Sequence, residues 1–252
     1  MYLQKLRDEK PLIHCITNIV VANFQANGLL ALGASPVMAD AVEEAADMAA
    51  VSSAVVLNIG TLKAVSVEAM CLAGERAAAN GIPVILDPVG AGATSFRKAA
   101  VLSILEKVPV SLIRCNAGEL AAIAGIDWQA KGVDAGDGEA DLEQLALEVA
   151  TRYSCLVAVT GVEDLVTDGK KVVRIAGGHS LMTRVTGVGC LLSAVVAAFV
   201  AVADDHKLEA AENALAIYKR AGEQAAALST GPGDFAVNLL NALYAITEED
   251  LL

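Results

Sequence analysis

The sequence predicts an α/β fold, a mainly parallel central sheet flanked by helices, in a single domain over residues 1–252. Three observations carry that expectation. Short runs rich in Val, Ile and Leu alternate with longer Ala/Leu/Glu runs at the spacing of βαβ units. Apolar residues make up 55% of the chain but aromatics only 4%, and small side chains let helices lie close on parallel strands. Near the end of that alternation, Asp168-Gly169 between two β-rich runs marks an antiparallel hairpin at the sheet edge.

Taken in order, strands are expected at residues 12–16, 35–38, 54–58, 83–86, 112–114 and 156–159. Helices are expected between them at 42–49, 63–80, 97–106 and 142–153. The hairpin occupies 164–167 and 171–175, and three helices follow at 190–202, 207–228 and 235–246. Asn116 and Glu119 have the spacing of a capping box opening a further helix. Gly231-Pro232 reads as a loop and helix cap, and the Gly- and Asp-rich stretch 125–141 as an exposed excursion. Residues 185–203 carry no charge over a length that could span a bilayer, but the stretch opens on Gly-Val-Gly and lacks flanking Lys/Arg or Trp/Tyr anchors. A buried helix is the expectation there.

With 30 Asp+Glu against 18 Lys+Arg, the net charge of −12 argues against a nucleic-acid partner, whose phosphates require basic stripes. No basic amphipathic segment suggests a membrane surface. The five cysteines are scattered without a CxxC, as expected of reduced thiols in a cytoplasmic protein. The first ten residues mix acids with bases and lead to no long apolar run, so no signal peptide is expected.

Open α/β sheets bind ligands beyond the carboxyl ends of their strands, and polar residues recur at those ends here. Asn18, Asn58, Asp87, Arg114, Asn116, Glu119 and Thr160 each close or follow an expected strand. Asp87 could instead cap a turn in DPVGAGAT, and Glu119 could serve only its capping box. Two carboxylates at separate strand ends could hold Mg²⁺ through water. Gly187 and Gly189, in TGVGC before an apolar helix, would let backbone N–H groups approach an anion at a helix N-terminus. Neither a Walker A ending nor GxGxxG is present. Cys190 would sit in the first turn of that helix, where the dipole is expected to lower its thiol pKa, unless it is simply a small buried residue. His14 reads as a core histidine, and Met38 as either core or ligand-facing.

Five segments in order, HCITN at 14–18, DPVGAGAT at 87–94, RCNAGE at 114–119, VTG at 159–161 and TGVGC at 186–190, resemble the hydroxyethylthiazole kinase family over essentially the whole chain. The resemblance implies a ribokinase-like three-layer sandwich without a lid domain. It also implies a homotrimer with active sites at subunit interfaces. The implied reaction is ATP-dependent phosphorylation, with Mg²⁺, of the primary hydroxyl of 4-methyl-5-(2-hydroxyethyl)thiazole, in thiamine biosynthesis and salvage. Carried over, Met38 would contact the thiazole through its backbone and Gly187 would lie against it. Arg114 and Thr160 would bind ATP phosphates, assisted by Asn18 and Gly189, while Asp87 and Glu119 would organise Mg²⁺. Cys190 stands where sugar kinases of this fold carry an aspartate base. Cys115 and Val188 depart from the glycine and threonine common in the family. The alternatives are a kinase for another small alcohol, such as hydroxymethylpyrimidine or pyridoxal, a nucleotide-dependent hydrate dehydratase, or a non-catalytic small-molecule-binding module.

Overall fold

The computed structural model describes residues 2–126 and 138–251. Among these residues eight strands form one sheet: β1 Leu12–Ile16, β2 Ser35–Val37, β3 Ala54–Asn58, β4 Val84–Asp87, β5 Leu112–Asn116, β6 Leu156–Thr160, β7 Asp164–Thr167 and β8 Val172–Ile175. Their spatial order is β2-β1-β3-β4-β5-β6-β7-β8. The pairs from β2 to β6 are parallel, and β7 and β8 close the edge antiparallel, as expected.

Three strands run further than expected. β4, β5 and β6 extend to Asp87, Asn116 and Thr160, so these polar residues end strands rather than begin loops. The parallel ladder uses only backbone groups, and Asn58 pairs in register with Asp87 as Asn116 does with Thr160. The hairpin connection is also longer than a two-residue turn. It spans residues 168–171, with the Asp168 carboxylate accepting the N–H groups of Lys170 (2.9 Å) and Lys171 (2.8 Å) and Gly169 left-handed at φ +87°. Residues 127–137 of the expected excursion lie outside the described residues.

Strand residues alternate between two cores. Val56, Ile85, Leu112 and Ala158 pack in one; Val55, Leu57, Val84, Leu86, Ile113 and Val157 pack in the other. The first core is built around α8 (Val188–Ala201), which is buried along nearly its whole length with α2 (Ala22–Leu32), α9 (Lys207–Ala227) and α10 (Pro232–Ala245) around it. On the opposite face lie α4 (Ala64–Ala79), α5 (Ser95–Lys107), α6 (Ala117–Ala124) and α7 (Gly138–Tyr153). The uncharged run 185–203 thus contains the central buried helix, and among the described residues no helix is long and apolar enough to cross a membrane.

The sequence offered no clear element at residues 22–32, because Gly28 interrupts a helical pattern there. That glycine is what lets α2 lie on α8: a Cβ at position 28 would come within 2.3 Å of Leu191 Cδ1. α8 begins two residues before Cys190, with left-handed Gly187 (φ +92°) as its N-cap.

Candidate active site

The two-residue period of the strands aims Asn58, Asp87, Arg114 and Thr160 to the α8 side, since each shares parity with a residue of the α8 core. All four therefore meet the first turns of one helix. Asp87 is fully buried. Its Oδ2 accepts from Asn58 Nδ2 (2.6 Å) and from Ser193 Oγ (2.8 Å), one turn along α8 from Cys190. Its Oδ1 has no hydrogen-bond partner among the described residues and lies 4.0 Å from Arg114 Nη1. Burial raises the Asp87 pKa to about 6; the nearby Arg114 charge opposes that rise, and the Glu119 charge adds to it.

Arg114 donates from Nη2 to Thr160 Oγ1 at 2.5 Å, and its buried Nε–H is unpartnered. A guanidinium has five donors, so this one keeps capacity for an anion. It is held against the helix tip by the absence of a side chain at Gly189, where a Cβ would lie 3.1 Å from Nη1. Leu191 N–H is the first in α8 to bond back, to Gly187 O (2.8 Å), so the N–H groups ahead of it have no intrahelical acceptor. Tyr218 OH donates to Val188 O (2.7 Å) and Gln25 Nε2 to Cys190 O (2.9 Å), fixing that turn from behind.

Asn18 joins the group: its Nδ2 donates to Asn58 Oδ1 (2.9 Å) and reaches Cys190 Sγ at 3.5 Å. The approach depends on Gly60, where a Cβ would lie 2.6 Å from Asn18 Nδ2. Cys190 itself corrects the expectation of a lowered pKa. Burial, with the Asp87 charge adding to it, pushes its thiol up to about 11. Burial of the sulfur by segments distant in sequence is the main cause, and the Asp87 carboxylate from β4 adds to it.

Glu119 forms the expected capping box, accepting Asn116 N–H at Oε2 (2.9 Å) and also Gly90 N–H at Oε1 (2.9 Å). It thus ties α6 to the loop following Asp87. Arg97 performs the corresponding task between β3 and β4, donating to Ile59 O (2.8 Å), Val89 O (2.7 Å) and Gly60 O (2.7 Å). Nothing in the sequence distinguished Arg97 or Ser193. The one weak signal for Ser193 is a hydroxyl inside an otherwise apolar run.

A cavity of about 600 Å³ opens beside these groups, lined in part by Arg114, Asn116, Thr160, Gly189, Asp164 and Lys219. Val188 also faces it, whereas Cys115 is buried in the opposite core. Met38 is half-buried after β2 and is not part of this cavity; Gly187 faces Val21 and Phe24 at the start of α2. The first turn of α8 therefore divides the carboxyl edge into a β1/β2 part holding Met38 and Gly187 and a β5/β6 part holding Arg114 and Thr160. His14 is the core residue expected: Nε2 lies 2.6 Å from Ala39 O, and burial lowers its pKa.

The chemistry of this donor set suits a magnesium-bound polyphosphate. Asp87 Oδ1, buried without a hydrogen-bond partner, is a hard oxygen available to a cation. Among the described residues no cluster of three or more His, Cys, Asp or Glu is arranged to bind a metal, so such an ion would take most ligands from phosphate and water.

The model of the hydroxyethylthiazole kinase family matches residues 3–249. The hydroxyethylthiazole kinase of an Exiguobacterium species is 56% identical over 97% of this chain and 92% of that protein. The solved structure of hydroxyethylthiazole kinase from Pyrococcus horikoshii superposes with a TM-score of 0.91, at 43% identity, over 99% of this chain and 93% of that one. A ribokinase-like superfamily protein from Enterococcus faecalis shares the fold (TM-score 0.66) at 12% identity over 96% of this chain and 88% of that one. Identity spread over nearly the full length, on a fold that gathers the five segments at one sheet edge, places this chain in the hydroxyethylthiazole kinase family.

Proposed function

We propose that the protein transfers the γ-phosphoryl group of ATP to the primary hydroxyl of 4-methyl-5-(2-hydroxyethyl)thiazole, in thiamine biosynthesis and salvage. The observation that carries this reading is the uncommitted hydrogen-bonding capacity of Asp87 and Arg114 beside the α8 N-terminus. Arg114 and Thr160 bind phosphate oxygens, and the α8 N–H groups at Gly189 add donors where charge accumulates. Asn18 orients the Asn58 amide, which with Ser193 fixes the Asp87 rotamer and leaves Oδ1 uncommitted beside Arg114. Asp87 holds Mg²⁺, with Glu119 supporting it through the loop at Gly90; the ion, when bound with ATP, neutralises phosphate charge. Met38 and Gly187 seat the thiazole on the β1/β2 side of the helix tip.

At neutral pH Cys190 is a thiol, so it lines the acceptor position and does not serve as a preformed base. Phosphoryl transfer tolerates this, because the acceptor hydroxyl loses its proton late and most of the catalysis is positioning and charge stabilisation. The Met38 and Arg114 regions are apart within one chain, and Ile19 (78% exposed) and Val20 (63% exposed) present apolar surface next to Asn18. A homotrimer with its sites at the subunit interfaces would cover that surface.

The reading is tested by ATP consumption with hydroxyethylthiazole, repeated with pyridoxal and with hydroxymethylpyrimidine. Turnover with the thiazole alcohol is expected; turnover only with one of the other two would retire the assignment.

A further inference from the structure

Lys219, on α9, is buried to 6% exposure at the wall of the nucleotide-side cavity. Its ammonium meets three acceptors from three segments: Val162 O (3.0 Å) in the β6–β7 loop, Asp164 Oδ1 (3.2 Å) at the start of β7, and Gly177 O (3.2 Å) after β8. An ammonium has three N–H donors. With all three engaged, none remains for a phosphate, in contrast to Arg114.

The segments it joins are those that flank Thr160 and line the cavity. Asp164 Oδ1 also accepts Gly161 N–H (3.0 Å), so the carboxylate couples Lys219 to the residue directly after Thr160. One helical turn further along α9, Glu223 Oε1 accepts Gly178 N–H (2.9 Å). Gly177 and Gly178 are both left-handed, at φ +103° and +85°. A Cβ on Gly177 would lie 2.7 Å from Glu223 Oε1. The loop is thus fitted to the Lys219–Glu223 face of α9 by geometry that other residues adopt only with strain.

We propose that Lys219 is a positioning residue for the nucleotide: by joining the loops at Val162, Asp164 and Gly177 it shapes the cavity that receives ATP, while leaving the acceptor side and the chemical step untouched. This rests on ATP being the phosphoryl donor, and its test therefore includes binding of a non-hydrolysable ATP analogue, measured by calorimetry without any acceptor alcohol. In Lys219→Met the analogue Kd and the KM for ATP rise about tenfold, the scale of one charge-assisted hydrogen bond. The thiazole KM and kcat stay within about twofold. Lys219→Arg recovers most of the lost affinity, since it restores the charge opposite Asp164. Should Lys219→Met fail to fold, Glu223→Gln, which weakens the Gly178 tie and an exposed pair with Arg220 (3.0 Å), raises the same two constants by about threefold. An unchanged analogue Kd in the folded variant, a fall in kcat at constant KM for ATP, or an equal rise in both KM values would each overturn the inference. If the wild type binds the analogue yet does not turn over the thiazole, the acceptor assignment fails and the role of Lys219 stands.

Discussion

Two acid–base pairs are buried at the carboxyl edge of the sheet, and they differ in how much of their bonding capacity is used. Asp164 and Lys219 are closed on each other and on backbone groups, the lysine with three acceptors and the acid with Gly161 N–H as well. Asp87 and Arg114 stand 4.0 Å apart, with Oδ1 and Nε unpartnered. Burial raises the pKa of both acids, so burial alone does not separate them. The vacant valences do: a closed pair holds loops, whereas an open pair costs stability and is ready for a ligand.

Arg114→Met should produce the largest loss, about 10³-fold in kcat/KM, because it removes the guanidinium proposed to bind the phosphates. Asp87→Asn should lose activity on a similar scale, about 10²–10³-fold, while stabilising the fold. The sign follows from the raised pKa. Between 3.8 and about 6 the folded state holds more protons than the unfolded one, so stability falls as pH rises through that window. The asparagine form escapes that loss and should gain about 3 kcal/mol at pH 7. Its advantage should shrink toward pH 4, as read by denaturant titration. A variant both inactive and less stable at pH 7 would erase the contrast between the pairs.

The closed pair should behave in the opposite sense. Asp164→Ala leaves the Lys219 charge buried without its partner and should destabilise the protein by about 3 kcal/mol or more in thermal or urea unfolding. Smaller effects are expected at Cys190. Cys190→Ala should lower kcat only a few-fold, and Cys190→Asp should hold or raise it by bringing a second carboxylate close to Asp87, where one of the two titrates nearer neutrality. Complete inactivity of a folded Cys190→Ser would make the thiol essential. Alkylation of Cys190 should be slow at pH 8 and accelerate toward pH 11.

The fold was readable because parallel strands buried on both faces announce themselves as apolar runs, and the hairpin by Asp168-Gly169. The site was half readable. Asp87, Arg114 and Thr160 stand out as polar residues at the ends of apolar strands. Ser193 and Lys219 do not: a serine within an apolar helix and a lysine on an amphipathic one resemble many that do nothing in particular. The Cys190 pKa was misjudged from local sequence because it is set mainly by burial among distant segments, with Asp87 on another strand adding to it. The β1/β2 side carries no polar signature at Met38, since the contact proposed there is through the backbone and would leave no trace in residue type.

The alternation that sends Asn58, Asp87, Arg114 and Thr160 toward α8 makes the arrangement all-or-nothing with respect to chain length. Inserting or deleting one residue within β4 or β5 would turn Asp87 or Arg114 through half a rotation into the opposite hydrophobic layer, with no intermediate setting. Divergence in this family can therefore tune the connecting loops in small steps, while the strands that present these side chains can change length only in pairs.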